Sequence, residues 1–80
     1  MSYTVGIDIG SGAVKTVLFN DEQWLQKRVE RIRRRDPFEL ARHSFDEVLK
    51  ESNLHEKDIA YVATTGEGEN VKFATGHFYS

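Results

Sequence analysis

The stretch that most constrains this chain is VGIDIGSGAVKTVLF at residues 5–19, where a Gly-Ser-Gly turn joins two apolar segments. Alternation of apolar and other residues predicts one strand from Thr4 to Gly10 and a second from Val14 to Phe19. The turn at Gly10 to Gly12 is short, so we expect the two strands to pair as an antiparallel hairpin.

The same turn gathers groups that suit a phosphate. Asp8 ends the first strand, Ser11 offers a hydroxyl, and Lys15 lies near the start of the second strand. Glycine tolerates positive φ and close backbone approach, so amides of the turn can point into an anion. The pattern therefore predicts half of a nucleotide site. The structural alternative is a tight hairpin in which the lysine is merely exposed and Asp8 merely caps the turn.

One amphipathic helix is predicted from Asp36 to about Ser52-Asn53. Asp36 is expected at the N-cap and Pro37 at the first helical position, and Glu39 has the spacing of a capping box. Apolar residues recur at intervals of three and four and predict one buried stripe. The stripe comprises Phe38, Ala41, Phe45, Val48, Leu49 and Ser52.

Two further strands complete a predicted β-β-β-α-β order. The third strand runs from Gln23 to Ile32, and the strand after the helix runs from Ile59 to Thr64, where the sequence Thr65–Gly68 ends it. Val71–Ser80 is compatible with either a strand or a helix. A helical crossover should return the last strand parallel to an earlier one, giving a mixed α/β sheet with one apolar face left bare.

Length and composition limit the possibilities. Eighty residues with 39% hydrophobic content allow at most one small domain. The chain has no cysteine, and His43, His55 and His77 are too dispersed in sequence to suggest a metal site. A net charge of −2 indicates neither a nucleic-acid nor a membrane partner. Without an apolar span or a signal-peptide pattern, a cytoplasmic location is expected.

A basic stretch is the one strong local departure from neutrality. It could be a solvated edge strand running into a linker, since charged residues discourage edge-to-edge pairing. It could also contact an acidic partner, the phosphates of coenzyme A, or nucleic acid, because Trp24 is nearby. Its members are Lys27, Arg28, Arg31, Arg33, Arg34 and Arg35.

Two motifs of the chain resemble a known family. DIGSGAVK at residues 8–15 resembles the first phosphate loop of the actin, Hsp70 and sugar-kinase superfamily. This loop, the helix and the sequence YVATTGEGENVKFATGH are together similar to the amino-terminal part of the BcrAD/BadFG-type ATPase activator family. Members of that family serve 2-hydroxyacyl-CoA dehydratases and benzoyl-CoA reductases, and the resemblance is strongest to ATP-binding subunits of benzoyl-CoA reductases. The resemblance covers nearly the whole chain and implies the amino-terminal portion of an actin-like (ribonuclease H-like) ATPase domain.

The resemblance also implies residue roles in binding ATP and Mg²⁺. Asp8 would be the catalytic and metal-binding residue, holding a water of the bound Mg²⁺ or orienting the nucleophilic water. Turn amides and the Ser11 hydroxyl would contact the β- and γ-phosphates, and Lys15 would place a charge beside them. The residues expected to bind ATP are Gly10, Ser11, Gly12, Ala13 and Lys15.

The function implied by the resemblance is an ATPase subunit that drives low-potential electron transfer from a [4Fe-4S] cluster to an acyl-CoA reductase or dehydratase. Its expected partners are the other subunits of that complex and a homologous ATPase subunit. A small-molecule kinase of the same superfamily and a non-enzymatic ATP-gated scaffold remain alternatives.

Several parts of such a subunit are missing from these residues. We find no second phosphate loop, no adenosine segment and no cysteine for a cluster, so residues 1–80 are expected to be an incomplete amino-terminal ATPase subdomain. Alone, it should bind Mg-ATP weakly or not at all and should not be an active enzyme. Where the family commonly has Gly-Tyr-Gly-Arg, this chain has Gly66-Glu67-Gly68-Glu69, to which no role is assigned.

Overall fold

The alternating segments form a five-stranded sheet with one helix against it, in a computed structural model that describes residues 2–78. The helix, α1, spans Pro37–Glu51. The strands are β1 (Tyr3–Ile9), β2 (Ala13–Asn20), β3 (Gln23–Arg31), β4 (Ile59–Gly66) and β5 (Gly76–His77).

The strand order is β3-β2-β1-β4-β5, with β1 in the centre of the sheet. β1 and β2 pair antiparallel, as do β2 and β3, whereas β4 pairs parallel with both β1 and β5. The mixed sheet and the β-β-β-α-β order predicted from sequence are confirmed. The last predicted segment, 71–80, contributes the short edge strand β5, and its final two residues lie outside the described part of the chain. Two 3-10 turns that the sequence did not indicate flank β4, at Glu56–Asp58 and Gly68–Asn70.

The start of α1 agrees with its predicted cap and corrects one detail. The Asp36 carboxylate accepts a hydrogen bond of 2.9 Å from the Phe38 amide, and Pro37 occupies the first turn. Because Asp36 bonds the second helical amide, the expected capping box with Glu39 is wrong; Glu39 instead places negative charge in the first turn. The helix ends at Glu51, close to its predicted end.

The core lies between α1 and one face of the sheet. On that face β1 contributes Val5, Ile7 and Ile9, which are at most 2% exposed. The predicted stripe of α1 needs correction, because Phe38 is 39% exposed and lines an open groove instead of entering the core. The buried stripe is rotated toward two residues that the prediction omitted. Its members are Leu40, Ala41, Ser44, Phe45, Val48 and Leu49.

The opposite face of the sheet is not covered by any helix or strand among residues 2–78. It carries side chains that alternate with the core residues, so we call it the open face. Val17, Phe19 and Ala63 are half-buried there, while Tyr61 is exposed. This agrees with the bare apolar face predicted from the sequence.

Among the described residues, no helix is long and apolar enough to cross a membrane.

Part of the basic stretch is paired with carboxylates at the β3 edge of the sheet. Arg28 bonds Glu30 and also reaches Glu51 on α1 at 3.3 Å, and Arg35 approaches Glu30 at 3.4 Å. The hydrogen bond from Arg28 lowers the pKa of Glu30 below its ordinary value. These pairs favour the interpretation of a charged edge strand, because two of the arginines already have partners.

A second ion-pair cluster joins α1 to the segments around β4. Arg42 pairs with Asp46 at 3.2 Å and with Glu56 at 2.6 Å. Its guanidinium also lies 4.9 Å from the centre of the Phe73 ring, and that ring packs against Phe45. The hydrogen bond to Glu56 raises the pKa of Arg42 and lowers that of Glu56. Arg42 thereby ties the helix to the chain on both sides of β4.

Candidate phosphate-binding site

The hairpin of β1 and β2 brings the two charged candidates together. Asp8 and Lys15 are direct cross-strand partners, and both belong to the open face because the neighbouring Ile9 and Val14 are core residues. Asp8 is half-buried, and Lys15 is exposed. A carboxylate and an ammonium therefore stand side by side at one end of the sheet, where solvent has access.

The turn between these strands is fixed by backbone hydrogen bonds. The Gly10 amide donates to the Ala13 carbonyl at 3.0 Å, and the Ile32 amide donates to the Gly12 carbonyl at 2.9 Å. Gly10 was predicted to direct its amide at a phosphate, but this amide is already engaged within the turn. Within residues 2–78, the amides of Ser11 and Gly12 have no hydrogen-bond partner, and both residues are exposed. Two turn amides therefore remain for an anion.

The glycines of the turn do not use the positive φ that glycine tolerates. Among residues 2–78, Gly66 is the glycine with positive φ, and neither Gly10 nor Gly12 shares it. A Cβ atom built on Gly12 would meet nothing within 4 Å, and one on Gly10 would lie 3.6 Å from the Ala13 carbonyl oxygen. The glycines thus leave open space over the turn, and that space fits the close approach of a phosphate.

The end of β4 adds a residue that sequence reasoning missed. The Thr65 hydroxyl donates a hydrogen bond of 3.0 Å to Oδ1 of Asp8. Strand β4 was expected to end at Thr64, but it continues to Gly66 because Thr65 and Gly66 pair with Asp8 and Ile9 of β1. Parallel neighbouring strands bring their carboxyl ends to the same edge of a sheet, and this rule could have identified Thr65.

Gly66 allows this close contact between β4 and β1. Its φ is 68°, and a Cβ atom there would lie 2.3 Å from the Ile9 carbonyl oxygen and 2.8 Å from Oδ1 of Asp8. The next amide, of Glu67, donates to the same Ile9 carbonyl at 2.8 Å. Any side chain at position 66 would displace the Asp8 carboxylate or the end of β1.

The donor set fits Mg²⁺ bound together with phosphate. No three His, Asp and Glu side chains among residues 2–78 are grouped so that they could hold a metal by themselves. Mg²⁺ usually takes one or two carboxylates and completes its shell with water and substrate phosphates, so a single carboxylate such as Asp8 is compatible with it. An iron–sulfur cluster does not fit these residues, because the sequence contains no cysteine.

Comparison with protein families identifies one match over almost the whole chain. Residues 5–80 match the model of the BadF/BadG/BcrA/BcrD ATPase family. A curated relative, a benzoyl-CoA reductase subunit of Thauera aromatica, is 58% identical over 84 aligned positions. The alignment includes 100% of this chain and 30% of that relative, so the chain spans less than a third of its length.

Solved structures with the same fold are similar to this chain over comparable lengths. Component A of the (R)-2-hydroxyglutaryl-CoA dehydratase of Acidaminococcus fermentans aligns with a TM-score of 0.84 and 27% identity, covering 99% of this chain and 31% of that one. The activator of 2-hydroxyisocaproyl-CoA dehydratase from Clostridium difficile, solved with bound ADPNP, aligns with a TM-score of 0.77 and 23% identity. That second alignment covers 96% of this chain and 29% of the activator, and it supports the fold alone.

Proposed function

Because this chain belongs to the BadF/BadG/BcrA/BcrD ATPase family, we propose that it forms the phosphate-binding part of an ATP-hydrolysing subunit. The observation that supports this most directly is the arrangement around the β1–β2 turn. There, Asp8 and Lys15 lie opposite each other beside an open glycine turn whose Ser11 and Gly12 amides have no partner among residues 2–78.

Each group has a proposed role toward the β- and γ-phosphates of ATP. The Ser11 and Gly12 amides and the Ser11 hydroxyl bind phosphate oxygens, and Lys15 neutralises part of their charge. Ala13 lines the turn. Gly10 shapes the turn through its bond to Ala13 and leaves room for the phosphate, a role different from the amide contact first expected.

Asp8 is the proposed catalytic and metal-binding residue. In hydrolysis the water oxygen bonds to the γ-phosphorus while the bond to the β–γ bridging oxygen breaks, releasing ADP and phosphate. Asp8 would hold a water of the bound Mg²⁺ or orient the attacking water. Bound Mg²⁺ would supply charge stabilisation for the phosphoryl group as it is transferred.

The wider system is proposed from the names of the relatives. One relative is a benzoyl-CoA reductase subunit, and a similar solved structure is a component of a 2-hydroxyacyl-CoA dehydratase. These names suggest that ATP hydrolysis by this subunit energises low-potential electron transfer to an acyl-CoA reductase or dehydratase. The partners would be the other subunits of that complex and a homologous ATPase subunit. The [4Fe-4S] cluster would be held by residues outside these 80, which contain no cysteine. The family match favours this ATPase over the sugar-type kinase and the ATP-gated scaffold.

Residues 1–80 are proposed to be an incomplete amino-terminal subdomain that carries the first phosphate loop. The open face and the span of less than a third of the curated relative support this proposal. Neither an adenosine pocket nor an opposing phosphate loop can be identified in the sequence. The 80-residue chain by itself should therefore bind Mg-ATP weakly or not at all.

The test is ATP hydrolysis by the complete natural subunit, measured as phosphate release. Asp8→Asn and Lys15→Ala should lower the rate of hydrolysis at least tenfold, because each removes a charge beside the transferred phosphate. Lys27→Ala, a substitution of an exposed lysine on the edge strand β3, is the matched control and should leave the rate unchanged. Hydrolysis that is absent from the wild type, or that Asp8→Asn leaves intact, would contradict the proposal.

A further inference from the structure

We propose that Thr65 is a positioning residue for Asp8, an inference that rests on the proposed ATPase function. The role belongs to the end of β4, a segment to which the sequence pattern assigned no function. Thr65 itself need not touch ATP. Its hydroxyl would set the direction in which the Asp8 carboxylate faces Mg²⁺ and the attacking water.

The hydrogen bond between these residues engages one carboxylate oxygen. Thr65 donates to Oδ1 at 3.0 Å, whereas Oδ2 of Asp8 has no hydrogen-bond partner within residues 2–78. The terminal torsion of an aspartate side chain is otherwise broad, so a free carboxylate samples many orientations. One fixed oxygen restricts that torsion and leaves the second oxygen available for a metal-bound or attacking water.

The backbone around Thr65 makes the contact specific. Thr65 is the direct parallel partner of Asp8, and Gly66 is the partner of Ile9. The Glu67 amide closes this end of the ladder by donating to the Ile9 carbonyl at 2.8 Å. The absence of a side chain at Gly66 leaves the space that Oδ1 occupies. Asp8 is thus held from the β4 side, while Lys15 stands on its β2 side.

A purely structural role for the Thr65 hydroxyl is less consistent with its position. Thr65 is exposed, and a hydrogen bond that water can replace contributes little to folding stability. Thr65→Val removes the hydroxyl while keeping the branched shape that suits a strand, and Thr65→Ser keeps the hydroxyl. The pair therefore separates orientation of Asp8 from stability of β4.

The experiment compares these two variants with the wild type in the complete natural subunit. Thr65→Val should lower kcat for ATP hydrolysis about tenfold with little change in KM, while Thr65→Ser should stay within about threefold of wild type. The urea midpoints of all three proteins should agree. A second readout is independent of activity. A change of χ1 would carry Oδ1 of Asp8 away from the Thr65 hydroxyl, so three-bond NMR couplings to the Asp8 β-protons should report one χ1 rotamer in wild type and Thr65→Ser, and averaged χ1 rotamers in Thr65→Val.

Failure of this inference is distinguishable from failure of the proposed function. An active wild type whose kcat and Asp8 couplings are unchanged by Thr65→Val would overturn the positioning role alone. An equal loss of kcat in Thr65→Ser and Thr65→Val would also overturn it, because the hydroxyl would then not be the cause. A wild type without ATP hydrolysis would overturn the ATPase proposal, and the positioning role would fall with it.

Discussion

Individual glycines at and near the β1–β2 turn serve two different physical purposes. Gly66 adopts a left-handed φ of 68°, and a Cβ atom there would lie 2.3 Å from the Ile9 carbonyl oxygen, so the fold itself requires glycine. Gly12 lies in open space without positive φ, so the fold does not require it. Its lack of a side chain matters only when something approaches the turn.

Gly66→Ala is expected to destabilise the protein, whereas Gly12→Ala is the matched control. The alanine at position 66 combines unfavourable left-handed backbone with a contact of 2.3 Å to the Ile9 carbonyl oxygen. Together these should lower the free energy of unfolding by about 2–4 kcal/mol. Gly12→Ala should change it by less than about 0.5 kcal/mol, and its effect should instead be on the proposed binding of ATP by the complete natural subunit. Urea denaturation measures both changes, and equal losses of stability would contradict this distinction.

Glu30 gives the stability of the chain a defined pH dependence. Its carboxylate side chain is 16% exposed, and the hydrogen bond from Arg28 lowers its pKa below the ordinary value of 4.5. A carboxylate with a lowered pKa in the folded state stabilises that state above its unfolded pKa, and this contribution disappears as pH falls through the folded value. Acidification below about 4.5 should therefore weaken the wild type.

Glu30→Gln isolates that contribution. The variant should be less stable than the wild type at pH 7 and should lose stability less steeply between about pH 5 and 3, because the glutamine has no charge to lose. Urea midpoints measured across this range provide the comparison. Parallel curves for the two proteins would show that Glu30 is not a source of the pH dependence.

Among the secondary-structure elements, α1 contains one buried polar group that the core does not satisfy. Ser44 is fully buried, and within the described part of the chain its hydroxyl has no hydrogen-bond partner. Thr16 on β2 has the same deficiency on the core side of the sheet. Unsatisfied buried hydroxyls oppose folding, since they give up hydrogen bonds to water without replacement.

Ser44→Ala should therefore stabilise the protein. The substitution removes the unsatisfied hydroxyl and improves helix propensity, so the free energy of unfolding should rise by about 0.5–1.5 kcal/mol. Ala41→Ser, at a position that is also fully buried on the same helix, is the converse control and should destabilise by a similar amount. Thermal unfolding measures both. A loss of stability in Ser44→Ala would reveal a partner for this hydroxyl.

In the molecule as a whole, the helix and the core occupy one side of the sheet and the open face the other. Apolar groups reach solvent on the open side and its β3 edge, where Trp24 is 64% exposed and Val29 is 53% exposed. Exposed apolar side chains on an uncovered sheet face are typical of an interaction surface. The 80-residue chain is therefore expected to self-associate and to bind hydrophobic dyes.

Reducing the apolar side chains at the β3 edge should reduce that association. The double substitution Trp24→Gln with Val29→Thr should lower both the weight-average sedimentation coefficient and dye fluorescence, because it removes the two most exposed apolar side chains of β3. Phe38→Ser changes an exposed apolar residue on α1 and should leave association largely intact. A monomeric wild type without dye binding would contradict the expected role of this surface.

The sequence by itself determined the local elements and the family. Alternating Val5, Ile7 and Ile9 specified a strand, and Asp36 with Pro37 specified where α1 begins, because these signals act within a few residues of one another. The phosphate-loop pattern at residues 8–15 indicated the superfamily, and the same loop together with the helix and residues 61–77 indicated the family that the match over residues 5–80 then confirmed. The hairpin, the helical crossover and the bare apolar face also followed from local patterns.

Only the tertiary structure decided which residues meet across the sheet. The sequence ended β4 at Thr64, but parallel pairing with β1 extends it to Gly66 and places Thr65 against Asp8, 57 positions away. The tertiary structure also decided that Phe38 is exposed while Leu40 and Ser44 are buried. It decided as well that the Gly10 amide donates its hydrogen bond to the Ala13 carbonyl. Each outcome depends on strand register or on the rotation of a helix over a sheet, and these are set by the packing of residues distant in sequence.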